Sequence, residues 1–134
     1  MANLIAVEGI GPVYAQQLKE AGIRSTDALL AAGATPEGRK DIAAKTGIGD
    51  ALILGWVNHV DLFRIKGVGE EYSDLLEAAG VDTVVELAQR VAANLYAKLV
   101  EVNQAEKRVR HLPTQAQVKD WIKQAKKLPR KISY

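Results

Sequence analysis

The sequence predicts an all-α protein made of two related helical modules, and three observations carry that expectation. First, residues 7–23, VEGIGPVYAQQLKEAGI, return as residues 65–81, IKGVGEEYSDLLEAAGV. A shift of 58 superposes Gly9 on Gly67, Gly11 on Gly69, Tyr14 on Tyr72, Leu18 on Leu76 and Gly22 on Gly80, the mark of an internal repeat that sets the folding unit. Second, apolar residues recur at spacings of three and four, as in Val118, Trp121, Ile122 and Ala125, and do not alternate as strands require. Third, glycines stand where helices should stop, and Ser or Thr where they should start.

Pro12 suits a first helical turn, where its missing N–H is no loss. That helix should run to about Ala21 and end at Gly22. Ser25 caps a short helix closed by Gly33, and Thr35 followed by Pro36 starts another that ends before Gly47. In the second half Gly80 ends the equivalent helix and Thr83 caps the next. Asn94 is expected to cap LYAKLVEV, and Thr114 after Pro113 to start the last helix. LILGWVNHV and QVKDWIKQA align with Trp56 on Trp121, an offset of 65. The second module therefore carries about seven additional residues within NQAEKRVRH. The modules are read as residues 1–62 and 63–134. Trp56 and Trp121 read as core anchors, and Tyr14 and Tyr72 as packing residues.

At 134 residues, 48% of them hydrophobic and 25% charged, the chain has the balance of a folded globule, with room for one moderate core or two small ones. It has no cysteine, which rules out disulfides, thiolate nucleophiles and Cys-ligated metals. No apolar run nears the roughly 18 residues of a membrane span, and no signal peptide is read at the start. The expectation is a soluble cytoplasmic chain without membrane contact. His59 and His111 fall in no metal-ligand spacing, and GIG extends neither to a P-loop nor to GxGxxG after a strand. No metal site, no catalytic constellation and no enzyme is expected.

The net charge of +2 hides a division. Residues 1–104 hold nine Lys/Arg against fourteen Asp/Glu, a balance of −5, and residues 105–134 hold nine against two, a balance of +7. Lys119, Lys123, Lys126 and Arg130 follow one another at spacings of four, three and four. They line one helix face opposite Val118, Trp121, Ile122 and Ala125, with Lys127 and Lys131 beside them. Arg108, Arg110 and His111 precede that helix. Such a face can track a phosphate backbone, or it can be a solvated surface whose cations favour the helix C-terminus.

Gly9-Ile10-Gly11 and Gly67-Val68-Gly69 each set two glycines around one aliphatic residue just before a helix. Glycine accepts positive φ, the aliphatic residue pins the turn, and helix-start amides are left facing outward with the positive end of the dipole behind them. That surface suits a phosphate oxygen. Close packing of the helical hairpins is the other reading of the same glycines.

GIGPVYAQQL resembles the helix-hairpin-helix motif of tandem-repeat, sequence-nonspecific DNA-binding proteins, and GVGEEYSDLL departs from it by lacking the Pro and the Ala. More narrowly, the chain is similar over nearly its whole length to a widespread prokaryotic helix-hairpin-helix family classed as a domain of unknown function. AGATPEGRKDIAAKTGI, LGWVN, DLFRIKGVGEEYSDLLEAAGVDTVVELAQR, AKLVEVN and the closing LP carry that similarity. The resemblance implies two tandem helix-hairpin-helix modules with compact, SAM-domain-like helical packing. It also implies phosphate contact through hairpin amides, helped by a monovalent cation on hairpin carbonyls and by a basic residue after the second glycine. On this sequence the amide donors would be Gly9, Ile10, Gly11 and Val13, with Gly67, Val68, Gly69 and Glu71 in the second copy. Gly47-Ile48-Gly49 would form a further hairpin. The assisting basic position is occupied by Val13 in the first copy, and the second has Glu70 and Glu71, which favour the helix dipole but repel phosphate.

The function expected is sequence-nonspecific binding of double-stranded DNA. The first hairpin (Gly9, Ile10, Gly11, Val13) and the basic residues Arg108, Arg110, Lys119, Lys123, Lys126, Lys127, Arg130 and Lys131 are the contacts. No cofactor is expected beyond that hairpin cation. The rival reading is a protein-interaction or scaffold module, including self-association of the basic tail with the acidic part of a second copy.

Overall fold

A computed structural model describes residues 3–134. A 3₁₀ turn, Leu4–Ala6, leads into α1 (Pro12–Glu20), α2 (Thr26–Gly33), α3 (Pro36–Thr46), α4 (Asp50–Leu62), α5 (Glu70–Ala78), α6 (Val84–Ala88), α7 (Ala92–Glu106) and α8 (Gln115–Lys127). The described residues contain no strand, so the class is all-α.

The helix starts follow the capping chemistry. Ser25 Oγ accepts from Ala28 N at 3.1 Å and Thr35 Oγ1 from Gly38 N at 3.0 Å, each cap adding typically about 1 kcal/mol. Thr114 does more. Its hydroxyl accepts from Gln117 N while Gln117 Oε1 accepts from Thr114 N at 2.8 Å, a reciprocal capping box. Asn94 is not a cap: α7 begins at Ala92 after Val91, an N-cap residue with no side-chain acceptor, and Asn94 falls inside the first turn. The extended backbone of Val91 opens the helix without the capping hydrogen bond on which the sequence expectation relied.

The chain divides into two compact units. One comprises residues up to Asp61 together with Lys131–Tyr134, and the other is Leu62–Arg130. In the first, α1 and α2 pack on α3 and the 3₁₀ turn on α1. Leu4, Val7, Leu18, Leu29, Ile53, Trp56 and Val57 are buried there. In the second, α8 packs on α6 and α7, and α5 on α7, around a core that includes Leu75, Leu76, Leu87, Leu95, Leu99, Val118 and Trp121. Each such side chain withdrawn from water contributes roughly 1.5–3 kcal/mol before chain entropy is charged against it. Because α8 supplies Val118, Trp121, Ile122 and Ala125 to this core, the lysine-bearing helix is an integral wall of the second unit.

Residues 131–134, which the sequence reading places with the second module, pack in the first unit. Ile132 is buried, Ser133 N donates to Ala34 O at 2.8 Å, and the Tyr134 hydroxyl lies 3.2 Å from Asn58 Oδ1. Arg39, itself buried, donates to Gly33 O at 2.9 Å and Ser133 O at 2.8 Å, and its guanidinium lies 5.9 Å from the Tyr134 ring centroid. The carbonyls at the end of α2 that lack intrahelical donors thus receive them from Arg39 and Ser133. No spacing rule in the sequence reports a pairing between residues so far apart.

Among the described residues no helix is long and apolar enough to cross a membrane.

Candidate nucleic-acid interface

In the first unit the glycine turn is built on an indole. Gly9 has φ +93°, and a Cβ at that position would stand 3.2 Å from Trp56 Nε1. An L-residue there is therefore strained twice, in the backbone and against the ring. Tyr14 packs on the same indole with ring centroids 5.1 Å apart. Ile10 is buried and its N–H donates to Val7 O at 3.0 Å, so of the expected amide donors this one is already spent. Gly11 N-caps α1 with no side-chain acceptor, and its carbonyl takes the Ala15 N–H at 2.9 Å. Pro12 has no N–H to offer. Val13 follows at 71% exposure. The first turn of α1 carries no acidic residue, which leaves the positive end of the helix dipole uncompensated by a side chain.

The second unit repeats that backbone. Gly67 has φ +94°, its Cβ position lies 3.1 Å from Trp121 Nε1, and Tyr72 packs on Trp121 at 5.2 Å. Val68 N donates to Ile65 O at 3.1 Å. Gln124 ties the turn to α8, with Lys66 N on its Oε1 at 2.8 Å and its Nε2 on Lys66 O at 3.1 Å. Here, however, Glu70 and Glu71 occupy the first turn of α5, both exposed. Two carboxylates there complement the dipole by roughly 0.3–1 kcal/mol each and oppose an incoming phosphate. At Gly47-Ile48-Gly49, Gly47 (φ +77°) closes α3, Ile48 is buried, and Asp50 opens α4.

The basic residues separate into groups. Arg108 is taken: its Nη2 and Nε donate to Glu106 Oε1 at 2.8 and 3.1 Å, and Nη1 to Asp74 Oδ1 at 2.9 Å. The Glu106 hydrogen bond, then the Asp74 charge, raises its pKa further. Its loop is held by Asn103, whose side chain brackets Val109 with an accepted bond of 2.9 Å and a donated bond of 3.2 Å. Arg110 and His111 are exposed, and the His111 carbonyl accepts from the Tyr72 hydroxyl at 3.0 Å. Lys127 is exposed in the last turn of α8 and Arg130 follows in the same unit, whereas Lys131 belongs to the first.

Lys119, Lys123 and Lys126 remain, all exposed on α8. Among the described residues none of them takes part in an ion pair. Their spacing along the axis is about 6 Å and then about 4.5 Å, and like charges so placed cost roughly 0.2–0.5 kcal/mol per pair. Asp120, next to Lys119 on α8, pairs with none of them; its carboxylate accepts from Gln124 Nε2 at 2.9 Å. Across from these lysines stand Arg90, Val91 and Ala92, and the seven residues Arg90, Val91, Ala92, Lys119, Ile122, Lys123 and Lys126 line an open groove of about 400 Å³. The glycine turn of Gly9–Val13 lies in the first unit and this groove in the second. Among the described residues no group of three or more His, Asp or Glu side chains is placed to hold a metal.

The model of a protein family described as Domain of unknown function (DUF4332) matches residues 8–128. The chain belongs to that family. Neither the curated proteins nor the solved structures contain a match to it. Within this DUF4332 chain, Arg90 is the basic residue that sequence spacing missed. It sits alone between α6 and α7, and the packing of α8 on both helices brings it to the lysines.

Proposed function

We propose that this protein is a non-enzymatic, cytoplasmic DNA-binding protein built from two tandem helix-hairpin-helix modules, and that it contacts DNA without sequence preference. The observation that carries the reading is the cationic face of α8, where Lys119, Lys123 and Lys126 stand free of ion pairs beside Arg90. Lysines set at such spacings on a rigid helix contact phosphates, which position a protein on nucleic acid without reading bases. The first glycine turn supports a second contact through the amides of Gly11 and Val13, since no carboxylate occupies the first turn of α1. Lys127, Arg110 and Arg130 add positive potential, and Arg108 is held back by Glu106 and Asp74.

A salt titration with random-sequence DNA, single-stranded and duplex, tests this. Binding in the micromolar range near 50 mM salt should fall steeply as salt rises, with a log–log slope that loses about 0.7–0.9 for each phosphate contact removed. Changing Lys119, Lys123 and Lys126 together to Gln should weaken binding alike for every sequence. No binding of either form at low salt would overturn the reading. A scaffold role has its own supporting observation in the exposed Glu70, Glu71 and Glu77 of α5, and a stoichiometric protein partner that survives high salt would favour it.

A further inference from the structure

The groove beside α8 has two chemistries, and a bare phosphate backbone uses only one. Its rim is cationic, with Lys119, Lys123 and Lys126 on one side and Arg90 on the other, and no carboxylate lines it. Its floor is aliphatic: Val91 is 60% exposed, with Ala92 half-buried next to it and Ile122 beneath. The volume of about 400 Å³ lies in the range of clefts that hold small ligands, about 300–1,000 Å³. An exposed valine lining the same groove as four cations is an odd choice for a surface that only tracks charge. It suits a ligand with negative groups at its edges and an apolar face between them.

Single-stranded DNA has that character. In a duplex the base faces are stacked and paired, so phosphates and groove edges are what a protein surface meets. In a single strand a base can leave the stack and rest on a side chain while its flanking phosphates stay outside. We propose that this groove seats a segment of single-stranded DNA, with phosphates on Arg90, Lys119, Lys123 and Lys126 and one unstacked nucleotide on Val91, Ala92 and Ile122. The inference rests on the DNA-binding reading and narrows it. With no aromatic residue lining the groove, apolar contact replaces ring stacking, so the strand is held without base identity being read.

The test is fluorescence anisotropy of the full chain with a labelled oligothymidine and with a mixed-sequence duplex of equal length, near 50 mM salt. The strand should bind about tenfold more tightly than the duplex. Arg90→Gln should weaken strand binding and lower the salt slope by about 0.7. Val91→Ser, which gives α7 a capping hydroxyl at its N-cap and so does not weaken the helix, should weaken strand binding by about threefold with the salt slope unchanged and leave duplex binding as it was. Equal or tighter duplex binding, indifferent to Val91→Ser, would overturn this inference and leave the DNA reading standing. Binding of neither form would remove both. Displacement of the strand by a polyglutamate peptide as readily as by unlabelled DNA would reassign the groove to an acidic protein segment.

Discussion

At the first glycine turn the helix opens with Pro12 and Val13, and at the second the same backbone opens with Glu70 and Glu71. The dihedrals of Gly9 and Gly67 differ by one degree, +93° against +94°, and the approach to the indole is 3.2 against 3.1 Å. The surface around them has changed sign. Lys19 and Arg24 of the first stretch correspond, 58 residues on, to Glu77 and Asp82 of the second. Turn geometry is therefore set from below, by a positive-φ glycine, a buried aliphatic residue and a tryptophan. The residues on its outer side vary without cost to that geometry, and any function of the turn has to be sought among them.

Truncating the indoles should break both turns. Trp56→Ala and Trp121→Ala should each cost about 3–5 kcal/mol, read as a lowered denaturation midpoint in urea. A large loss in only one would show that the shared backbone has two different supports. Next come Gly9→Ala and Gly67→Ala, each expected to cost about 1–3 kcal/mol from positive φ, and the two values should agree closely because the surroundings do.

The outer residues can then be exchanged to sharpen the contrast. Val13→Glu should stabilise α1 by about 0.3–1 kcal/mol while weakening DNA binding, and Glu71→Val should do the reverse in α5. Thermal melts and anisotropy together check this pair, and a binding change without the opposite stability change would detach the dipole from the effect. The smallest effect concerns Asp82, whose carboxyl is held above its ordinary pKa by partial burial, then by the charges of Glu86 and Glu77. The folded state binds that proton more tightly than the unfolded chain does. Stability should therefore rise as pH falls through the folded pKa toward the ordinary carboxylate value, and the penalty should be fully present above it. Asp82→Asn should flatten this part of the pH profile and shift stability at neutral pH upward by no more than about 0.5 kcal/mol.

Most of the helices could be read from the chain because their ends are local chemistry. Pro12, Ser25, Thr35, Gly47, Thr83 and Thr114 each mark a boundary within a residue or two. Asn94 misled because a good capping residue is only an option for the backbone, and Val91 took the start of α7 without one. The lysine face was legible for the same reason as the helices, since its period is the helical period. Arg90 and the embrace of Arg39 by Ser133 were not. Each joins residues that no periodicity relates, and in the sequence Arg108 looks as available as Lys123 although Asp74 and Glu106 hold it.

The return of residues 131–134 gives synthesis of this protein an order. Arg39 and Ala34 leave the ribosome long before Ser133, whose carbonyl and amide serve them. All of Leu62–Arg130 must be translated in between, an interval of roughly 3–14 s at about 5–20 residues per second. During that interval the nascent first unit has water where the peptide of Ser133 will sit, and the cleft that receives Ile132 is open. The second unit is contiguous in sequence and all of its residues are translated before Ser133, so the part of the protein begun earliest is the last to be completed.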